Sequence, residues 1–127
     1  MAHIYLDFDA YRHNLNYLST FCKGIERLIV VFKDNAYGHG LAQMAPLAAA
    51  AGVTKAAVRN CDEARQIDGL FDEILILADY PTTNSSSSWF FAAHSIEALH
   101  IFPEKTNIHL TLDTGMHRNG ISLKEVE

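Results

Sequence analysis

The sequence is poor in cysteine, proline and positive charge, and it holds no apolar run that approaches membrane-spanning length. Its two cysteines, Cys22 and Cys61, lie far apart and form no Cys-x-x-Cys pattern. That leaves no support for a disulfide framework or a thiolate metal site, and reduced core thiols are expected. Seven histidines are present, but none falls at a His-Glu-x-x-His or similar ligand spacing, so no metal is expected. A net charge of -5, with Lys23, Arg27 and Lys33 scattered and not striped, argues against a nucleic-acid partner. Met1-Ala2-His3 opens directly into Ile4-Tyr5-Leu6-Asp7 without a basic, apolar leader. The expectation is a cytoplasmic chain with no membrane partner.

What is present is the composition of a packed domain, 49% apolar and 20% charged. At 127 residues the chain suits one ordinary domain. It is too short for a complete eight-stranded barrel of alternating strands and helices, which needs about 250 residues.

Ile4 to Phe8 alternates large apolar with smaller or polar positions and suggests a short strand. Asp9 can cap the helix that follows, with Tyr11, Leu15, Leu18 and Cys22 at helical spacing on one face and Gly24 as its stop. Leu28 to Phe32 is an unbroken apolar run, which predicts a strand buried on both faces. Leu41 to Ala51 is alanine-rich and helical, with Pro46 expected to kink it or mark its first turn. Lys55-Ala56-Ala57-Val58 is a second strand, and Asn60-Cys61-Asp62-Glu63 reads as a capping box opening a helix to about Ile67. Glu73 to Ala78 is a third strand, again expected to be covered on both faces. Pro81 to Ser88 is a polar surface loop where a crossover helix would be shortened or replaced. Trp89 to Ala93 is a fourth strand, Ser95 caps a short helix over Ile96 to Ile101, and Pro103 forbids its continuation. Ile108 to Asp113 is a fifth strand. Ser122-Leu123-Lys124-Glu125 is a further capping box, so a helix opens just before the sequence stops at Glu127.

The rhythm of strand and helix implies parallel strands joined by crossovers, an α/β chain.

Lys33 stands where the first barrel strand gives way to a polar, glycine-containing turn. Apolar walls disfavour an ammonium there and leave a neutral amine able to attack a carbonyl. The ordinary alternative is a surface lysine at a strand end.

Val31-Phe32-Lys33-Asp34-Asn35-Ala36-Tyr37-Gly38-His39-Gly40 resembles the signature segment of alanine racemases. The segment Ile108-His109-Leu110-Thr111-Leu112-Asp113-Thr114-Gly115-Met116-His117-Arg118-Asn119-Gly120 resembles the second N-terminal signature of the same family. Together they stand in the family's order and at about its spacing. The resemblance implies a TIM-type (β/α)8 barrel, here cut off after about five strands, with residues 1–9 as a strand belonging with a second domain and residues 10–127 as the partial barrel. The resemblance implies pyridoxal 5'-phosphate carried on Lys33 as a Schiff base, with Lys33 also the acid-base group on one face of the substrate. It implies that Tyr37 bonds the cofactor phosphate, and that Arg118 approaches the cofactor's phenolic oxygen and the substrate carboxylate. The backbone amide of Met116 would also bind that carboxylate. His39 is expected to be structural and hydrogen-bonded. The implied reaction interconverts L- and D-alanine for peptidoglycan synthesis, in a homodimer whose second domain supplies the opposing tyrosine. No residue of this chain matches that tyrosine, so the chain alone is expected to be inactive.

Two positions depart from the family's common pattern. Thr111 stands where many relatives carry a carbamylated lysine that orients the arginine, and Asp34 replaces a small apolar residue beside the anchor. Strand alternation would turn Asp34 away from the amine. The alternatives are a noncatalytic cofactor-holding module or truncated product, and another pyridoxal-phosphate enzyme of the same fold type, including one that prefers serine.

Overall fold

A computed structural model describes residues 1–126. Glu127 lies outside the described residues. Five parallel strands form one sheet in sequence order: β1 (Ile29–Val31), β2 (Lys55–Val58), β3 (Glu73–Ile76), β4 (Trp89–Ala93) and β5 (Asn107–Leu110). The registers pair Val30 with Ala56, Ala57 with Leu75, Leu75 with Phe90 and Ala92 with His109, so all five strands point their carboxyl ends the same way. Helices α3 (Leu41–Ala50), α4 (Cys61–Gln66) and α5 (Ile96–Ile101) alternate with the strands, and α1 (Phe8–Cys22) packs on α3. No helix among the described residues is long and apolar enough to cross a membrane.

One face of the sheet is sealed and the other is open. Ala56, Val58, Ile74, Ile76, Trp89 and Phe91 pack with Ala45, Ala48, Ala64 and Ile67 of the helices in a single buried cluster. The alternate residues face the other way. Ile29 and Val31 remain 39% and 40% exposed, and Glu73, Leu75 and Phe90 are half-buried. This corrects the expectation that the first and third strands are covered on both faces. Unbroken apolar runs suit a closed barrel, whereas helices on one side leave the large residues of the other face partly open, and there the small Ala57 and Ala92 are buried.

Local signals explain most element ends. Asn60 and Ser95 accept from the N–H of Glu63 (3.0 Å) and Ala98 (3.1 Å). In α1 the cap is Asp7, whose Oδ1 accepts from Ala10 (3.0 Å), and not Asp9, which lies inside the helix and pairs with Arg12. Consequently Ile4 to Asp7 form no strand and are exposed, while Phe8 begins the helix. Of the face expected in α1, only Leu15 is fully buried. Pro46 sits inside α3 and does not mark its start: Gly40 opens the helix, its carbonyl accepting from Met44 (2.9 Å). The loop Pro81 to Ser88 joins β3 to β4 without a helix.

The fifth strand differs from its expectation by a break. Thr111 separates β5 from β6 (Leu112–Asp113), donating its N–H to Ala93 (2.9 Å) while its carbonyl accepts from Ile121 (2.8 Å). That switch starts a small parallel pair of β6 with β7 (Ile121–Ser122), and α6 (Leu123–Val126) follows with Glu125 bonded back to Ser122.

Candidate active site

Everything that faces the cleft lies just past a strand's carboxyl end, the rim where parallel α/β barrels place their chemistry. Lys33 follows β1, Arg59 follows β2, Leu77 and Ala78 follow β3, His94 follows β4, and Arg118 and Asn119 lie between β6 and β7. These side chains line one cleft of about 420 Å³. Leu77, His94, Arg118 and Asn119 also border an adjoining cleft of about 600 Å³ that reaches Thr111, Asp113 and Met116.

Lys33 is half-buried, and its Nζ lies 5.9 Å from the centre of the Tyr37 ring. The backbone between them is unusual. Residues 34–37 form a single left-handed turn, part of α2 (Lys33–Tyr37), with Asp34 at φ 56, ψ 51, Asn35 at 55, 47, Ala36 at 52, 47, and Tyr37 at φ 55. For L-residues such a turn costs on the order of 1–2 kcal/mol per residue, and Asp and Asn tolerate it better than Ala and Tyr do. Strain of this kind persists only where the surroundings impose it.

The surroundings are visible. Phe32 accepts from the Ala36 N–H (2.7 Å), and Asn35 Oδ1 accepts from the Leu41 N–H (2.8 Å), tying the turn to α3. Glu63 Oε1 accepts from the Asn35 N–H (2.9 Å). Arg59 grips the Asp34 carboxylate through Nε (2.7 Å) and Nη2 (3.0 Å). Asp34 is therefore turned to Arg59, and among the described residues no ion pair joins it to Lys33. The cause is the turn and this ion pair, because the residue is not in a strand.

Arg118 makes no ion pair among the described residues. Its loop is shaped by Asp113, whose Oδ1 accepts from the N–H groups of Gly115 and His117, both at 3.0 Å. Those two bonds, His117 first, hold the Asp113 carboxyl below the usual range. Met116 is 74% exposed at the edge of the adjoining cleft. His39 is exposed, and its side chain has no hydrogen bond among the described residues, so the expected hydrogen-bonded role is not what the structure shows.

His94 was not legible as a site residue. Its Nε2 is 2.6 Å from the Leu77 carbonyl and must donate there, which leaves Nδ1 buried without a partner among the described residues. Arg59, Asn119 and Glu63 were missed as well, and only Glu63 carried a signal, as the last residue of a capping box. Cys61 is buried in the core cluster; burial first, then the Asp79 carboxylate, push its thiol up to about 11, so it is an inert thiol. Among the described residues no group of three or more His, Cys, Asp or Glu is placed to hold a metal ion.

Residues 6–127 match the family described as "Alanine racemase, N-terminal domain". The chain belongs to that family. It is 43% identical over its whole length to the alanine racemase of Campylobacter jejuni subsp. doylei, covering 39% of that protein, and 41% identical to that of Nitratiruptor, covering 37%. Among solved structures, the alanine racemase of Corynebacterium glutamicum superposes with a TM-score of 0.77 at 30% identity over 94% of this chain and 38% of that one. An alanine racemase of Bacillus anthracis with bound L-Ala-P gives 0.71 at 27%, again over 94% of this chain and 36% of that one. The chain thus spans well under half the length of these alanine racemases, and what it shares with them is the barrel portion bearing Lys33 and Arg118.

Proposed function

We propose that this chain supplies the lysine-bearing part of the active site of a pyridoxal 5'-phosphate-dependent alanine racemase. The observation that carries the reading is the meeting of Lys33, Arg59, His94 and Arg118 around one cleft at the strands' carboxyl ends, from four separate segments of sequence. The donor set fits the cofactor. A primary amine suits an aldehyde, fixed guanidinium donors suit an anionic ligand, and the unpartnered buried Nδ1 of His94 belongs to a residue that still has a bond to make.

When bound, pyridoxal phosphate supplies an electron sink for a carbanion at the substrate's α-carbon. Lys33 anchors the aldehyde and moves a proton at that carbon on its own face. Arg118 orients the phenolic oxygen and the substrate carboxylate, with the Met116 N–H as a second donor. Tyr37, held over Lys33, gives its hydroxyl to the phosphate. The acid-base group for the opposite face comes from a second domain, in a partner subunit of a homodimer. The segment before α1, Met1 to Asp7, is left to form a strand with that second domain, two residues shorter than the expected 1–9 because Phe8 and Asp9 are helical, and the exposed Ile4 and Tyr5 support this. D-Alanine for peptidoglycan, made in the cytoplasm, is the corresponding role.

Borohydride reduction after incubation with pyridoxal phosphate, followed by peptide mapping, tests the reading. An adduct on Lys33 is the expected result, with no racemisation by the 127-residue chain alone. An adduct spread over the other surface lysines, or none, refutes the anchor.

A further inference from the structure

We propose that Glu63 is a positioning residue for Lys33 and Tyr37: its carboxylate clamps α2 in the left-handed form in which the amine lies beside the Tyr37 ring. The inference rests on the reading of Lys33 as the anchor given above.

Asn60 to Glu63 is a capping-box sequence, and its first half is formed as such a box requires, Asn60 Oδ1 accepting from the Glu63 N–H (3.0 Å). In the second half the glutamate would return to the N–H of the capping residue itself. Here it does not. Oε2 accepts from the Arg59 N–H (2.8 Å), one residue earlier, and Oε1 accepts from the Asn35 N–H (2.9 Å), 28 residues away in sequence. The box is opened out, and one carboxylate joins the exits of β1 and β2.

Asn35 is the second of the left-handed residues, so the bond is made where the hand of the turn is set. Ala36 and Tyr37 have no side-chain reason to adopt that form. Arg59 is held at both ends, its N–H by Glu63 and its guanidinium by Asp34, which fastens the turn to β2 a second time. Glu63 itself does not line the cleft, so its effect on the site is transmitted through α2. A glutamine keeps the shape but offers one acceptor oxygen instead of two, and an alanine offers none.

The chain labelled with nitrogen-15 serves for the test, as the parent, Glu63→Gln and Glu63→Ala. Amide exchange at Asn35 and Arg59, and the HN–Hα couplings of Ala36 and Tyr37, read the turn without cofactor. Visible absorbance and circular dichroism during pyridoxal phosphate titration, with reduction and mapping, read the site. In Glu63→Ala, exchange at both amides rises and retention on Lys33 weakens by roughly tenfold each, and the two couplings leave their left-handed values. Glu63→Gln falls between, and protection in β2 and β4 is unchanged in both. The Gln variant carries the comparison if the Ala variant does not fold. Unchanged exchange and couplings overturn the proposal, as does an altered turn that retains the cofactor as tightly. A parent chain that takes no adduct on Lys33 instead refutes the anchor reading, and the cofactor-free measurements still decide whether Glu63 holds the turn.

Discussion

Gly120→Ala separates steric from conformational cost in the loop that presents Arg118. A methyl group built on Gly120 lies 2.7 Å from the Asp113 nitrogen, 2.9 Å from the Leu112 carbonyl carbon and 3.2 Å from the Thr111 oxygen, all main-chain atoms with nowhere to go. The residue is also at φ +114, where a side chain is strained by about 1–3 kcal/mol. Overpacking against backbone adds about 1–3 kcal/mol, for a total of about 2–6 kcal/mol. Gly38→Ala is the control. Its φ is +90, yet nothing lies within 4 Å of the added methyl, so it carries the strain alone. Denaturant titration of both variants, with amide exchange at Ile121, whose N–H donates to Thr111 (2.8 Å), reads the difference. Gly120→Ala should expose the Ile121 amide and cost about 1–3 kcal/mol more than Gly38→Ala. Equal midpoints with a still-protected Ile121 amide would refute the packing argument for this loop.

Four further outcomes follow from other parts of the molecule. Lys23 caps α1 at φ 62, ψ 33, so Lys23→Gly should stabilise the chain by about 0.5–1 kcal/mol in a thermal melt. Phe91, buried in the cluster beside Phe102, should cost about 3–5 kcal/mol as Phe91→Ala in the same melt. The Cys61 N–H, with that of Tyr80, holds the Asp79 carboxyl below its usual value. Because the folded value is the lower one, its contribution is complete above the unfolded value near 3.9 and is lost as pH falls through the folded one. Denaturation of Asp79→Asn at several pH values should therefore lack that part of the parent's acid-induced loss, and show about 0.5–1.5 kcal/mol less stability at neutral pH. Arg118→Ala should weaken pyridoxal phosphate retention, as set out below.

What could be read from the chain was what local chemistry decides. Trp89–Ala93 and Ile96–Ile101, with Ser95 between them as a cap, lie where β-branched or aromatic density and a hydroxyl before a helix put them. That the strands are parallel followed from the alternation with helices. Burial was misjudged at Ile29 and Val31 because an apolar run shows what a strand can bury and not which neighbours are present. The choice of Asp9 over Asp7 as cap failed because both precede a helical face, and only the backbone decides which one sits outside it. Lys33, Tyr37 and Arg118 were visible through the two signature segments. The left-handed turn was not, because its hand is imposed by Arg59 and Glu63, which lie 25 and 28 residues further along. His94 was hidden for a similar reason: its place in the cleft depends on a carbonyl in the neighbouring strand's exit, 17 residues before it.

The central claim is that Lys33 and Arg118, far apart in sequence, address one bound molecule. The direct test is the dissociation constant of pyridoxal phosphate, by absorbance titration, for the parent chain and for Arg118→Ala at equal pH and ionic strength. Loss of a hydrogen bond to a charged group predicts roughly tenfold to hundredfold weaker binding with the adduct still on Lys33. Equal affinity in the two chains would contradict a shared site.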